Sequence, residues 1–68
     1  MEVSARNVLR GTVRSVKIGQ VMAEVVVDVR GQEVVSAITR SSAERLGLEE
    51  GSPVVVLIKA TDVMVGKA

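Results

Sequence analysis

Two pairs of side chains, one near each end of the chain, combine a cation with a hydroxyl group. Ser4 and Arg6 stand two residues apart, and so do Lys59 and Thr61. In an extended strand residues i and i+2 share a face, so the two members of each pair point the same way. Guanidinium, ammonium, hydroxyl and nearby backbone N–H groups are the donors that hold a small anion. If the two ends meet, they form a pocket suited to a tetrahedral dianion.

These residues also have interpretations that involve no ligand. An arginine near a chain end is commonly a solvated surface side chain, and Lys59 at a strand end would serve to block edge pairing. Ser41 and Ser42 are explained as helix caps, although a helix N-terminus with Arg40 beside it also favours anions. The residue types alone therefore do not decide between an anion site and these interpretations.

Other kinds of chemistry lack the residues they need. The chain has no His and no Cys, so it offers no ligands for a structural zinc ion and neither the usual general base nor a thiol nucleophile. Proteins that bind single-stranded nucleic acid rely on aromatic side chains that stack on bases, and Phe, Tyr and Trp are all absent. A net charge of +1 gives no bulk attraction to nucleic acid or anionic lipid. We therefore predict a non-enzymatic protein that binds neither nucleic acid nor membranes.

Valine-rich runs predict the β-strands that must position the two pairs. Apolar alternation or continuous apolar runs indicate about five strands, at residues 8–17, 21–30, 33–39 and 54–60, with 62–65 either continuing the fourth strand or adding a final edge strand. Gly11 within the first strand indicates a bulge or a close backbone approach, and the dipeptide at 31–32 indicates a hairpin turn.

Residues 40–51 interrupt the strand pattern. Ser41 stands three residues before Glu44, which is the spacing of a capping box, and Gly47 suits a left-handed C-cap. We therefore predict an all-β fold, a five-stranded OB-like barrel with one short helix between strands 3 and 4.

The chain is small and apolar for a protein that folds alone. Its 68 residues predict a single domain over 1–68 with no disulfide, yet 47% of residues are hydrophobic and the mean hydropathy is +0.36. A core of this size stabilises a fold by only ~3–5 kcal/mol, so the excess apolar surface predicts association with further copies. No signal peptide pattern and no apolar run of ~20 residues is present, so we expect a cytoplasmic location.

Six motifs in order along the whole chain resemble a known family. They are "SARN" at 4–7, "L-x-G-x-V" at 9–13, "G-x-V-x-A-E-V" at 19–25, "AIT" at 37–39, "LGL-x-x-G" at 46–51 and "KATDVMV" at 59–65. Together they resemble a molbindin, a small protein built from one Mop domain of the TOBE/OB-like class. The resemblance implies a cytoplasmic homo-hexamer, a trimer of dimers, that binds molybdate or tungstate non-covalently between subunits for storage, buffering or homeostasis, with no other cofactor and no bare metal ion.

The resemblance also implies two classes of oxyanion site. The first class maps to Ser4, Ala5, Arg6, Lys59, Ala60 and Thr61, where some members have Ser in place of Ala60. The second class, around a three-fold axis, is expected to use Gly19, Gln20, Val21 and Ser42. The alternative is an OB-type regulatory or interaction module that docks on a larger partner or binds nucleic acid.

Overall fold

Four antiparallel strands form one sheet in the computed structural model, which describes residues 1–68. The elements in chain order are β1 Asn7–Ile18, β2 Met22–Val29, β3 Gln32–Thr39, α1 Arg40–Leu46, β4 Pro53–Ile58 and a 3-10 turn at Ala60–Asp62. The order across the sheet is β3-β2-β1-β4. The one helix lies between β3 and β4, as predicted. The first four predicted strands are thus confirmed to within two residues at each end.

The predicted fifth strand over 62–65 does not form, so the prediction of five strands is wrong for the single chain. The chain leaves β4 after Ile58 and folds into the 3-10 turn, in which the amide of Asp62 donates to the carbonyl of Lys59 at 2.9 Å. The amide of Val63 donates to the carbonyl of Ala60 at 3.3 Å. These local bonds replace a ladder, and β3 and β4 remain as the two edges of the sheet.

The core lies on one face of the sheet and is very small. Only five of the 68 residues are buried, and all five are Val or Ala. Three of them, Val13, Val25 and Val27, form one cluster that partly buried aliphatic side chains surround. The other two buried residues are Ala23 in β2 and Ala43 in α1.

Gly11 and a bulge at Arg14 shape β1. A Cβ at Gly11 would lie 2.6 Å from the carbonyl oxygen of Asp28, so the predicted close approach is confirmed. The bulge is elsewhere, because the β1–β2 register shifts between Val13 and Ser15. The extra residue moves the later side chains of β1 to the opposite face from the one that simple alternation predicts.

Thr39, rather than Ser41, caps the N-terminus of α1. The Thr39 Oγ1 accepts a hydrogen bond from the amide of Ser42 at 3.1 Å. The predicted C-cap is confirmed, since Gly47 is left-handed with φ of 63°. No helix in the chain is long and apolar enough to cross a bilayer.

The β2–β3 hairpin turns one residue earlier than predicted. Arg30 and Gly31 both have positive φ, 52° and 85° respectively. Two successive left-handed residues match the twist of the strands on either side.

Candidate functional site

The two cation-and-hydroxyl pairs lie at the same cleft. The cleft has a volume of about 520 Å³. Its lining contains all six residues expected for the first site class, Ser4, Ala5, Arg6, Lys59, Ala60 and Thr61, together with Leu57. The apolar Leu57 was missed because an aliphatic residue in a strand carries no sequence signal for a site.

The register of β1 and β4 brings the two chain ends together. These strands are antiparallel, and Asn7 at the start of β1 is paired with Ile58 at the end of β4. The residues before Asn7 and those after Ile58 therefore leave the sheet at the same end of the β1–β4 pair. We call residues 4–6 the N-terminal arm and residues 59–61 the C-terminal arm of the cleft.

The cleft holds two positive charges that no carboxylate neutralises within the chain. The three ion pairs join Arg14 to Asp28, Arg14 to Glu33 and Arg40 to Glu44. Arg6 and Lys59 take part in none of them, and no carboxylate lines the cleft. The local charge therefore favours an anion.

Backbone donors in both arms are also free. The amides of Ala5, Arg6, Lys59, Ala60 and Thr61 donate to no acceptor in the protein. Unpaired amides beside a guanidinium and an ammonium form a concave donor set of the kind that binds oxyanions. The arrangement has no group that would act as a nucleophile with a base beside it, so its chemistry is that of binding.

The residues expected for the second site class do not share one pocket in the single chain. Gly19 lines a separate hollow near Met22, and its amide is already used, because it donates to the carbonyl of Met22 at 2.8 Å. Gln20, Val21 and Ser42 do not line that hollow. The carbonyl of Val21 accepts from the amide of Arg40 at 2.7 Å, which fixes the turn against the start of α1.

Comparison with known proteins gives one family and several full-length relatives. The TOBE domain model matches residues 3–65. The chain is 48% identical to molybdenum-pterin-binding protein 3 of Clostridium pasteurianum, over 96% of this chain and 97% of that protein. The relative therefore has about the same length as this chain.

Two solved structures have the same fold. A molybdate-binding protein from Sporomusa ovata superposes with a TM-score of 0.94 at 45% identity, covering 98% of this chain and all of that one. The cytoplasmic molybdate-binding protein ModG, solved with molybdate bound, superposes with a TM-score of 0.85 at 43% identity. This chain covers 43% of ModG.

Proposed function

This chain belongs to the TOBE-domain family, and from that premise we propose that it is a molybdate-binding protein of the Mop, or molbindin, type, which also accepts tungstate. The observation that carries the proposal is that Arg6 and Lys59 line the same cleft and neither has a carboxylate partner. Relatives of the same length are described as binding proteins, in agreement with the prediction that the chain is not an enzyme.

The oxyanion is held by charge-assisted hydrogen bonds without covalent change. Arg6 supplies a guanidinium fork and Lys59 an ammonium, while Ser4 and Thr61 supply hydroxyls. The free amides of both arms, Ala60 included, complete the donor set. Each bond to a charged group contributes about 1.5–3 kcal/mol, so several together support micromolar binding, near ~−8 kcal/mol.

The surface area of the chain supports assembly into an oligomer. A folded monomer of 7.2 kDa is expected to expose roughly 4,100 Å², whereas this chain exposes 5656 Å². Twelve large apolar side chains are exposed. The excess of about 1,500 Å² exceeds one partner's share of a standard interface, about 800 Å², and so favours more than one interface per chain. We assign the assembly as a homo-hexamer, a trimer of dimers.

Assembly would also complete the OB-like barrel. An apolar hollow of about 180 Å³ lies on the core side of the sheet, with Ile38 of β3, Val56 of β4 and Leu48 after α1 in its wall. Both edge strands contribute to it. In the proposed assembly a neighbouring subunit at these edges covers the hollow.

The second site class belongs to the interface between subunits. The amides of Gln20 and Val21 donate to no acceptor in the protein, and the Val21 side chain is 72% exposed. In the proposed assembly the turn at 19–21 and Ser42 meet the same segments of other copies, and the grouped amides bind a second oxyanion there.

Titration calorimetry of the purified oligomer with molybdate, tungstate, sulfate and phosphate in parallel tests the function. We expect micromolar binding of molybdate and tungstate and much weaker binding of sulfate and phosphate. Absence of heat with molybdate and tungstate would contradict the proposal. The role is storage, buffering or homeostasis in the cytoplasm, the location given for ModG.

The exposed apolar side chains also fit a second candidate, an interaction module that docks on a larger partner. Light scattering separates the two, because the module would be a monomer in isolation and the proposed binding protein a hexamer. For nucleic-acid binding, the chain lacks the aromatic side chains on which bases would stack. Retention of single-stranded oligonucleotides in a filter-binding assay would be the evidence in its favour.

A further inference from the structure

The side chain of Asn7 reaches across the end of the sheet to the neighbouring strand. Its Nδ2 donates to the carbonyl oxygen of Ile58 at 3.2 Å, and the bond is partly buried. Asparagine is depleted in strands. Asn7 shares a face of β1 with Leu9, which is paired with Val56 beside the core. An aliphatic residue would suit the stability of this position better than an amide does.

The hydrogen bond from Asn7 to Ile58 lies at the last paired position of β1 and β4, directly before the two arms of the cleft. No hydrogen bond joins the chain before Asn7 to the chain after Ile58. Arg6 immediately precedes this link and Lys59 immediately follows it. The pair Asn7–Ile58, which the side-chain bond reinforces, is therefore the last hydrogen-bonded constraint before the two cations.

We propose that Asn7 is a positioning residue for the oxyanion, a role that rests on the proposed function. Asn7 is not part of the cleft lining, so it acts by holding the arms at the separation at which Arg6 and Lys59 bind the anion together. Strand ends open locally at low cost. A ligand that needs both arms binds only the closed fraction of molecules, and its apparent affinity falls with that fraction.

The test compares Asn7→Ala, Asn7→Leu and the control Gly47→Ala with the wild-type protein, using molybdate as the ligand. Gly47→Ala puts a side chain at the left-handed C-cap of α1, which destabilises the fold at a position that belongs to neither site class. Calorimetry gives the affinity, and the thermal midpoint without ligand gives the stability. We expect both Asn7 variants to bind molybdate about three- to tenfold more weakly. Asn7→Leu keeps the wild-type midpoint, whereas Gly47→Ala lowers the midpoint and keeps wild-type affinity.

Hydrogen exchange gives a readout that does not depend on affinity. In the ligand-free Asn7 variants, amide exchange should accelerate in peptides covering residues 4–9 and 56–61 and stay unchanged in β2 and β3. A purely structural loss would instead accelerate exchange throughout the sheet.

Three outcomes would overturn the role of Asn7. Wild-type affinity in Asn7→Leu would show that the bond does not set the cleft. A matching loss of affinity in Gly47→Ala would assign the effect to general destabilisation, and so would uniform acceleration of exchange. Absence of molybdate binding in the wild-type protein would overturn the proposed function itself. The wild-type titration therefore distinguishes that failure from a failure of the Asn7 role alone.

Discussion

Arg6 and Lys59 flank the last paired position of the β1–β4 ladder, one before Asn7 and the other after Ile58, and neither is in an ion pair. Two like charges at one strand end repel each other, so this placement costs stability unless an anion lies between them. The cost is limited by water, because both side chains are exposed. An anion site requires two cations placed in this way, whereas the end of a strand pair has no need of them.

Replacing either cation should remove binding at the first site class. We expect Arg6→Ala and Lys59→Ala each to weaken molybdate binding there by at least tenfold, because each loses charge-assisted bonds worth about 1.5–3 kcal/mol apiece. Calorimetry measures the loss, and light scattering should show the oligomer intact. Arg45→Ala is the matched control, since Arg45 is an exposed cation that lies outside the cleft and the ion pairs. Unchanged binding in the Arg6 or Lys59 variant would remove that residue from the site.

Saturating molybdate should raise the thermal midpoint of the protein. A ligand that binds only the folded state stabilises it by about 2.7 kcal/mol at a free concentration of 100 times its Kd. Differential scanning calorimetry with and without molybdate measures the shift. Arg6→Ala should show a smaller shift, and an equal shift in that variant would indicate that the ion acts through another site or through the solvent.

The strands and the two cation-and-hydroxyl pairs were predictable because both leave local patterns, whereas the family resemblance supplied the rest of the first site class. Alternating Val residues mark the strands, and the pairs Ser4–Arg6 and Lys59–Thr61 repeat the i, i+2 spacing of a shared face. The bulge at Arg14 was not predictable, since it depends on which residue of β2 lies opposite. The prediction of a fifth strand was wrong because the apolar segment 62–65 pairs with no other strand of the chain.

The sequence also predicts only part of the candidate site, because the rest depends on how the strands pair. Charged and hydroxyl side chains are visible in a sequence, whereas free amides are not, because their availability depends on where the ladder ends. The Asn7 bond likewise requires the β1–β4 register, which no local pattern encodes.

Gly11→Ala should destabilise the fold strongly. The added Cβ would lie 2.6 Å from the Asp28 carbonyl oxygen and 2.7 Å from the Val27 Cγ1, and relief of such crowding in a packed sheet costs about 1–3 kcal/mol. Urea denaturation measures the loss. The control is Gly66→Ala, where an added Cβ meets no atom within 4 Å, and a Gly11 variant as stable as that control would refute the close approach.

Substitutions at Thr39 and Ser41 should show which of the two residues caps the N-terminus of α1. Thr39→Ala leaves the amide of Ser42 without its side-chain acceptor, and loss of an N-cap costs about 0.5–2 kcal/mol. Ser41→Ala should be nearly neutral, because its hydroxyl accepts from no backbone amide. Thermal unfolding of the two variants side by side decides between the caps, and a greater loss in Ser41→Ala would restore the assignment made from the capping-box spacing.

The thermal midpoint should also depend on protein concentration. A single chain buries only five residues and exposes twelve large apolar side chains, so in the proposed assembly contacts between copies supply much of the stability. Unfolding is then coupled to dissociation, and mass action lowers the midpoint on dilution. Thermal unfolding at protein concentrations spanning two orders of magnitude, with light scattering at each, measures this. A midpoint that stays constant while the scattering mass equals that of one chain would show that the small core is sufficient alone, and it would contradict the assembly on which the second site class depends.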